Sequence, residues 1–109
     1  MTYHAFQALA DPTRREIFER LSRAPMAVGA LAAELPVSRP AVSQHLRVLK
    51  KAQLVVDRRV GTRRIYSVDL DGLSEVHRYL DRLWDDVLRS FQAEAEDQAS
   101  REQEEPKDE

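Results

Sequence analysis

The chain has 109 residues, with 17 Lys and Arg side chains against 19 Asp and Glu, a formal net charge of −2 and a pI near 5.9. This length suits one hydrophobic core with or without a tail, and it excludes a large multidomain enzyme. The absence of cysteine excludes a disulfide framework, a thiolate metal site and a Cys nucleophile. Because there is neither a signal-like N-terminus nor a run of about 18 apolar residues, we expect a cytoplasmic protein without a membrane span.

Three short helices are predicted before the middle of the chain. Tyr3 and Phe6 recur at helical spacing in the first of them. The second begins at Asp11, whose carboxylate suits the N-cap, with Pro12 in the first turn. The third ends before Pro36, because the residue that precedes a proline is driven out of the helical region. The turn at Pro36–Val37 then leads to a fourth helix.

The fourth helix is predicted to have a buried face and a polar face. Ser38 is a suitable N-cap for it. Val42, Leu46 and Leu49 recur at the spacing of a buried stripe. The other side of the helix is polar and cationic, and the residues that point outward there are Arg39, Pro40, Ser43, Gln44 and Arg47.

Two strands and a long helix complete the predicted elements. Strand-forming residues on both sides of Gly61–Thr62 indicate a hairpin between Leu54 and Val68. A helix follows from Asp69, with an apolar residue at every third or fourth position. The residues that recur at this spacing are Leu73, Val76, Leu80, Leu83, Trp84, Val87 and Phe91. We therefore expect a mostly α fold with a small β-hairpin.

The near-neutral total charge hides two opposed segments. Residues 38–66 contain eight basic side chains and one acidic side chain, Asp57, whereas residues 91–109 contain eight acidic and two basic ones. We expect residues 1–91 to form the folded domain and residues 92–109 to form a solvated, disordered acidic tail, since the tail has few apolar residues to bury. The alternative is a tail that repels stray anions or contacts a partner.

A polar helix after a tight turn, followed by a basic hairpin, is suited to binding double-stranded DNA. An α-helix fits the major groove, where arginine can bind guanine and glutamine can bind adenine. Arg39 and Arg47 are therefore candidates for guanine or phosphate, and Gln44 for adenine. Ser43 suits either base. The candidates for the DNA backbone or the minor groove are the hairpin residues Arg58, Arg59, Arg63 and Arg64. For each residue taken alone, an ordinary solvated helix face is the alternative.

Three segments of the sequence carry a family signature. They are Phe6–Ile17, Pro36–Leu49 and Arg58–Tyr66, of which Ser43–Leu46 is the most distinctive part. In this order they resemble the ArsR/SmtB family of winged-helix transcriptional repressors, over about residues 3–91. The resemblance implies a winged helix-turn-helix homodimer that binds a palindromic operator. The DNA-contacting positions that it implies are Ser38, Arg39, Pro40, Ser43, Gln44 and Arg47.

Metal sensing and catalysis are not expected. Metal-sensing members of the family carry a cysteine pair in the helix before the turn, and the corresponding segment Val28–Leu35 has no cysteine. His77 and Asp81 are spaced as a ligand pair on the last helix, but a zinc site needs three or four ligands. His45 has no acid nearby in the sequence that would build a catalytic triad. We therefore expect no metal, no cofactor and no catalytic residue, and the sequence leaves a small-molecule effector open.

The apolar stripe of the last helix is longer than one small domain needs. A two-fold contact between two copies would bury it, together with a matching face on the first helix. The expected dimer interface consists of Tyr3, Phe6, Leu80, Leu83, Trp84, Val87 and Phe91. Two alternatives stay open: the stripe covers the winged helix of a monomer, or the winged helix contacts an acidic protein instead of DNA.

Overall fold

The computed structural model describes residues 2–104, and these contain five helices and three strands. The elements are α1 (Thr2–Ala10), α2 (Pro12–Arg23), β1 (Met26–Ala27), α3 (Val28–Glu34), α4 (Arg39–Lys51), β2 (Val55–Val60), β3 (Arg63–Val68) and α5 (Leu70–Glu104). They confirm the predicted mostly α fold with a β-hairpin. The chain divides into two compact units between His77 and Arg78.

Side-chain caps start α2 and α4 where the sequence predicts them. Oδ1 of Asp11 accepts a hydrogen bond from the backbone N–H of Arg14 at 3.0 Å, and Pro12 is the first residue of α2. This hydrogen bond, with the nearby Arg14 charge, holds the pKa of Asp11 below its usual value. At the start of α4, Oγ of Ser38 accepts from the N–H of Ala41 at 3.3 Å. Each cap satisfies a backbone donor that the helix itself leaves unpaired.

A three-stranded antiparallel sheet, in the order β1-β3-β2, belongs to the first unit. β2 and β3 form the predicted hairpin, in which Val60 pairs with Arg63 across the Gly61–Thr62 turn. Gly61 has a φ of +63°, which glycine adopts without strain. The sequence does not predict β1: Met26 pairs with Tyr66, but two residues are too few to show a strand alternation.

The inner face of α4 packs into the hydrophobic core of the first unit. α4 packs against α2 and α3, and its inner residues Val42, Leu46 and Leu49 are fully buried, as predicted. The buried residues are Ala5, Ala8, Ile17, Leu21, Leu31, Leu35, Val42, Leu46, Leu49, Ala52, Leu54, Val55 and Val76. Burial of one such leucine contributes about 2 kcal/mol. Packing of the apolar face therefore keeps the polar face of α4 outward.

α4 ends in a tight turn, against which the first turn of α5 packs closely. Gln53 follows the helix with a φ of +63°, and its N–H donates to the carbonyl of Lys50 at 3.0 Å. The N–H of Leu54 donates to the carbonyl of Leu49, also at 3.0 Å, so carbonyls of the last helical turn are satisfied. A Cβ built on Gly72 would lie 1.6 Å from the carbonyl oxygen of Gln53. Only glycine fits at residue 72 unless the backbone moves.

Gly72→Ala is expected to destabilise the protein by about 2 kcal/mol or more, because the added Cβ requires a movement at the end of α4. Urea unfolding followed by far-UV circular dichroism measures the change. Gly29→Ala is the matched control, since a Cβ there would meet its nearest neighbour at an ordinary 3.6 Å and alanine favours the helix. Equal stabilities of the two variants would contradict the close approach at Gly72.

α5 continues beyond the residue where the sequence predicts the folded domain to end. Residues 92–104 are helical, whereas the sequence predicts a disordered tail from residue 92. Alanine, glutamate and glutamine favour helices, and Asp97 and Arg101 form an ion pair of 2.7 Å one helical turn apart. The domain boundary after residue 91 stays a prediction, and the disorder predicted for residues 105–109 lies outside the described residues.

Candidate nucleic-acid interface

The polar face of α4 forms a shallow groove on the first unit. The groove is lined by Ser38, Pro40, Ala41, Ser43, Gln44 and Arg47. Gln44 and Arg47 are exposed, and Ser43 is half-buried. The structure therefore brings together five of the six positions that the family resemblance implies. This surface, made of Ser38, Pro40, Ser43, Gln44 and Arg47, is termed the reading face.

Arg39 is the implied DNA-contacting residue that lies apart from the reading face. Its guanidinium lies against α3, where a Cβ built on Gly29 would be 3.6 Å from Nη1 of Arg39. The β2–β3 hairpin is termed the wing. Together with Arg63 and Arg64, Arg39 lines a separate cleft of about 610 Å³ between α3 and the wing. The sequence does not reveal this placement, because Gly29 and Arg39 become neighbours only through the packing of α3 on α4.

A second groove extends the reading face toward the end of α4. It is lined by Arg14, Gln44, His45, Arg47, Val48 and Lys51. Lys51 and Arg14 are not among the site residues predicted from the sequence. Lys51 follows Gln44 by seven residues, about two helical turns, and this spacing is the signal that could have identified it. Arg14 also has a structural task, because its Nε donates to the carbonyl of Ala8 at 2.8 Å.

The four wing arginines lie on two faces of the hairpin. Arg59 pairs with Arg64, and Arg58 pairs with Ile65. Because side chains alternate along a strand, Arg59 and Arg64 share one face. Arg58 and Arg63 share the other. All four side chains are exposed, so the wing presents cations on both sides.

Asp57 joins the wing to α4. Its side chain is only 3% exposed, with Oδ1 2.7 Å from Nζ of Lys50 and Oδ2 2.5 Å from Nη1 of Arg64. The hydrogen bond from Lys50, and after it the one from Arg64, holds the pKa of Asp57 below its usual value in spite of desolvation. The one acid of the basic segment is therefore a structural partner for two of its cations.

Asp57→Asn is expected to lower the free energy of unfolding at neutral pH by about 1–2 kcal/mol, because it weakens two charge-assisted hydrogen bonds. Since folding lowers the pKa of Asp57, the carboxylate stabilises the fold above its ordinary pKa of 3.8 and loses this effect as the pH falls through the lower folded value. Urea unfolding of both proteins from about pH 7 to about pH 3 measures the difference in stability, which should shrink toward the acid end. A difference that is constant over this range would contradict the assignment.

The predicted dimer contacts are exposed in both units. Tyr3 is 71% exposed and Phe6 is 42% exposed on α1, and Trp84 is 62% exposed on α5. The residues termed the apolar stripe share one row of α5 and are Leu80, Leu83, Trp84, Val87 and Phe91. All but Phe91 line one shallow groove, together with Asp81. A contiguous exposed apolar surface of this kind is typical of a protein interface.

Metal and membrane features are not found in the part of the chain that the structure describes. Residues 2–104 contain no group of three or more His, Asp or Glu side chains that could hold a metal ion. None of their helices is long and apolar enough to cross a lipid bilayer.

His45 is half-buried and lies close enough to Asp11 to contribute to the lowered pKa of that carboxylate. The same carboxylate already caps α2.

Residues 9–58, which include the reading face, match the family described as a helix-turn-helix domain. The chain is also similar to the HTH-type transcriptional regulator Rv2034 of Mycobacterium tuberculosis (strain ATCC 25618 / H37Rv). The two are 60% identical over 87 residues, which cover 80% of this chain and 81% of that relative. Three further relatives are named as repressors, one of them of an arsenical resistance operon.

Solved structures have the same fold. The ArsR-like transcriptional regulator from Rhodococcus sp. RHA1 matches with a TM-score of 0.77 and 36% identity, over 84% of this chain and 87% of that chain. The homodimeric winged helix-turn-helix DNA-binding domain of Mb0332 from Mycobacterium bovis matches with a TM-score of 0.63 and 28% identity, over 76% of this chain and 77% of that chain. The chain therefore belongs to the ArsR/SmtB family of winged helix-turn-helix, DNA-binding transcriptional regulators.

Proposed function

We propose that the protein represses transcription in the cytoplasm by binding a palindromic operator as a homodimer. The observation that carries this proposal is the reading face, where Gln44 and Arg47 are exposed on a helix whose opposite face is fully buried. A helix held in this way can enter a major groove, and a protein bound there blocks access of RNA polymerase to an overlapping promoter. The relatives that are named as repressors support this direction of regulation.

Different parts of the site have different tasks in this proposal. Gln44 binds adenine through N6 and N7, and Arg47 binds guanine through O6 and N7. Ser43 adds a contact to either base. The wing arginines contact the DNA backbone or the minor groove, and they contribute affinity with little preference for sequence.

A dimer accounts for both the apolar surfaces and the palindrome. The exposed apolar stripe of α5 and the exposed aromatic residues Tyr3 and Phe6 of α1 would be covered by a second copy. The homodimeric state of Mb0332 supports this arrangement. Two-fold symmetry would place two reading faces about 34–36 Å apart, which is one turn of DNA.

Selection of bound duplexes from a random library, followed by sequencing, tests the proposal. We expect enrichment of an inverted repeat with half-sites about 10–10.5 base pairs apart, and an affinity that falls steeply with salt. If no sequence is enriched and binding does not depend on salt, DNA is not the partner. The basic face would then be a contact for an acidic protein.

A further inference from the structure

The cleft between α3 and the wing holds two arginines whose charges no acid of the described part of the chain balances. Arg39, Arg63 and Arg64 line this cleft together with the first residues of α3. Arg64 already has a carboxylate partner, because its Nη1 is 2.5 Å from Oδ2 of Asp57. Within residues 2–104, neither Arg39 nor Arg63 takes part in an ion pair. The cleft therefore offers two guanidinium groups to an anion.

Arg39 is directed toward this cleft and away from the reading face. A Cβ built on Gly29 would have all three of its nearest neighbours on the Arg39 guanidinium, at 3.6, 3.7 and 3.9 Å. The groove of the reading face is lined by Ser38 and Pro40, the two neighbours of Arg39 in the chain, but not by Arg39 itself. The arginine head thus lies beside α3, while Gln44 and Arg47 occupy the surface suited to base edges.

We propose that Arg39, together with Arg63, binds a backbone phosphate of the operator and does not read a base. This inference rests on the proposed function. Two oxygens of a phosphate can accept a pair of hydrogen bonds from the planar guanidinium of an arginine. A contact of this kind fixes the position of a protein on DNA without carrying sequence information. Arg39 is then a positioning residue that aligns the reading face with its half-site.

Arg39→Ala tests the assignment by comparing two duplexes, the operator obtained by selection and an unrelated sequence. We expect the affinity for both to fall by the same factor, roughly tenfold, and the slope of log K against log salt to become shallower by about 0.9. Gln44→Ala is the contrast, because it should lower the affinity for the operator alone. A loss confined to the operator, with relaxed preference at one base pair, would overturn the inference.

Gly29→Asp tests the same assignment without removing the arginine. The new carboxylate would stand next to the Arg39 guanidinium, and an acid in the first turn of α3 is compatible with the helix. Gly29→Asn is the uncharged control of the same shape. We expect the aspartate variant to bind both duplexes roughly tenfold more weakly than the asparagine variant, with thermal stability preserved in each.

Combining Gly29→Asp with Arg39→Ala distinguishes two effects of the new carboxylate. It can form an ion pair with Arg39, or it can repel DNA by its charge alone. If the aspartate acts on Arg39, its effect relative to asparagine should largely disappear in the Arg39→Ala background. An undiminished effect there would overturn the inference. A parent protein that binds no duplex would contradict the proposed function as well. A parent that binds the operator, with affinities unchanged by Arg39→Ala, would contradict only the role of Arg39.

Discussion

Gln44→Ala is expected to reduce the affinity for the selected operator by roughly 5- to 150-fold, equivalent to about 1–3 kcal/mol, because it removes the proposed bidentate contact to adenine. The affinity for an unrelated duplex should stay near that of the parent protein. Arg47→Ala should cause a loss of similar size on the operator. Fluorescence anisotropy with both duplexes at one fixed salt concentration measures the two affinities and their ratio.

Matched controls use the same residue types away from the reading face. Gln98 is an exposed glutamine on α5, and Arg23 is an exposed arginine at the end of α2. Their replacement by alanine should leave the operator affinity unchanged. Arg58→Ala in the wing should instead lower the affinity for both duplexes and make the slope of log K against log salt shallower by about one. Operator binding that survives both Gln44→Ala and Arg47→Ala would show that α4 does not read the sequence.

Trp84→Asp is expected to convert the proposed dimer into a monomer, because it places a charge in the middle of the apolar stripe. Sedimentation equilibrium measures the molecular mass. Since two linked half-sites bind far more tightly than one, the affinity for the full palindrome should fall by about 100-fold or more. Trp84 is 62% exposed and does not belong to the core, so the fold should persist.

Ala93→Asp is the matched control for the dimer. Residue 93 is exposed on the same helix and follows Trp84 by nine residues, which places it half a turn away around α5. The substitution introduces the same charge on the opposite side, so the mass of the dimer should be retained. If the tryptophan variant also remains a dimer with full operator affinity, the apolar stripe is not the interface.

Features that depend on residues close together in the chain are predicted well from the sequence. The caps at Asp11 and Ser38 are examples, since a short polar side chain needs only the next turn of its own helix to accept a hydrogen bond. The inner face of α4 is another, because helical periodicity alone separates Val42, Leu46 and Leu49 from the polar residues.

Features that depend on packing between distant elements are not predicted. Arg39 follows the same helical pattern as the reading face, but its long side chain reaches α3, and no periodicity encodes that choice. Asp57 looks like one acid in a basic segment until the strand register places it beside Lys50 and Arg64. β1 is missed for the same reason, since Met26 becomes a strand residue only by pairing with β3.

The ion pairs of Asp57 also set how many cations the protein can offer to DNA. Of the eight basic side chains between residues 38 and 66, Lys50 and Arg64 already have a carboxylate as counterion in the free protein. A phosphate would have to compete with Asp57 for either of them. Because one carboxylate offsets only one positive charge, the segment carries a net charge of +7 instead of +8. Its salt slope is therefore no steeper than roughly −6 per protomer, instead of roughly −7.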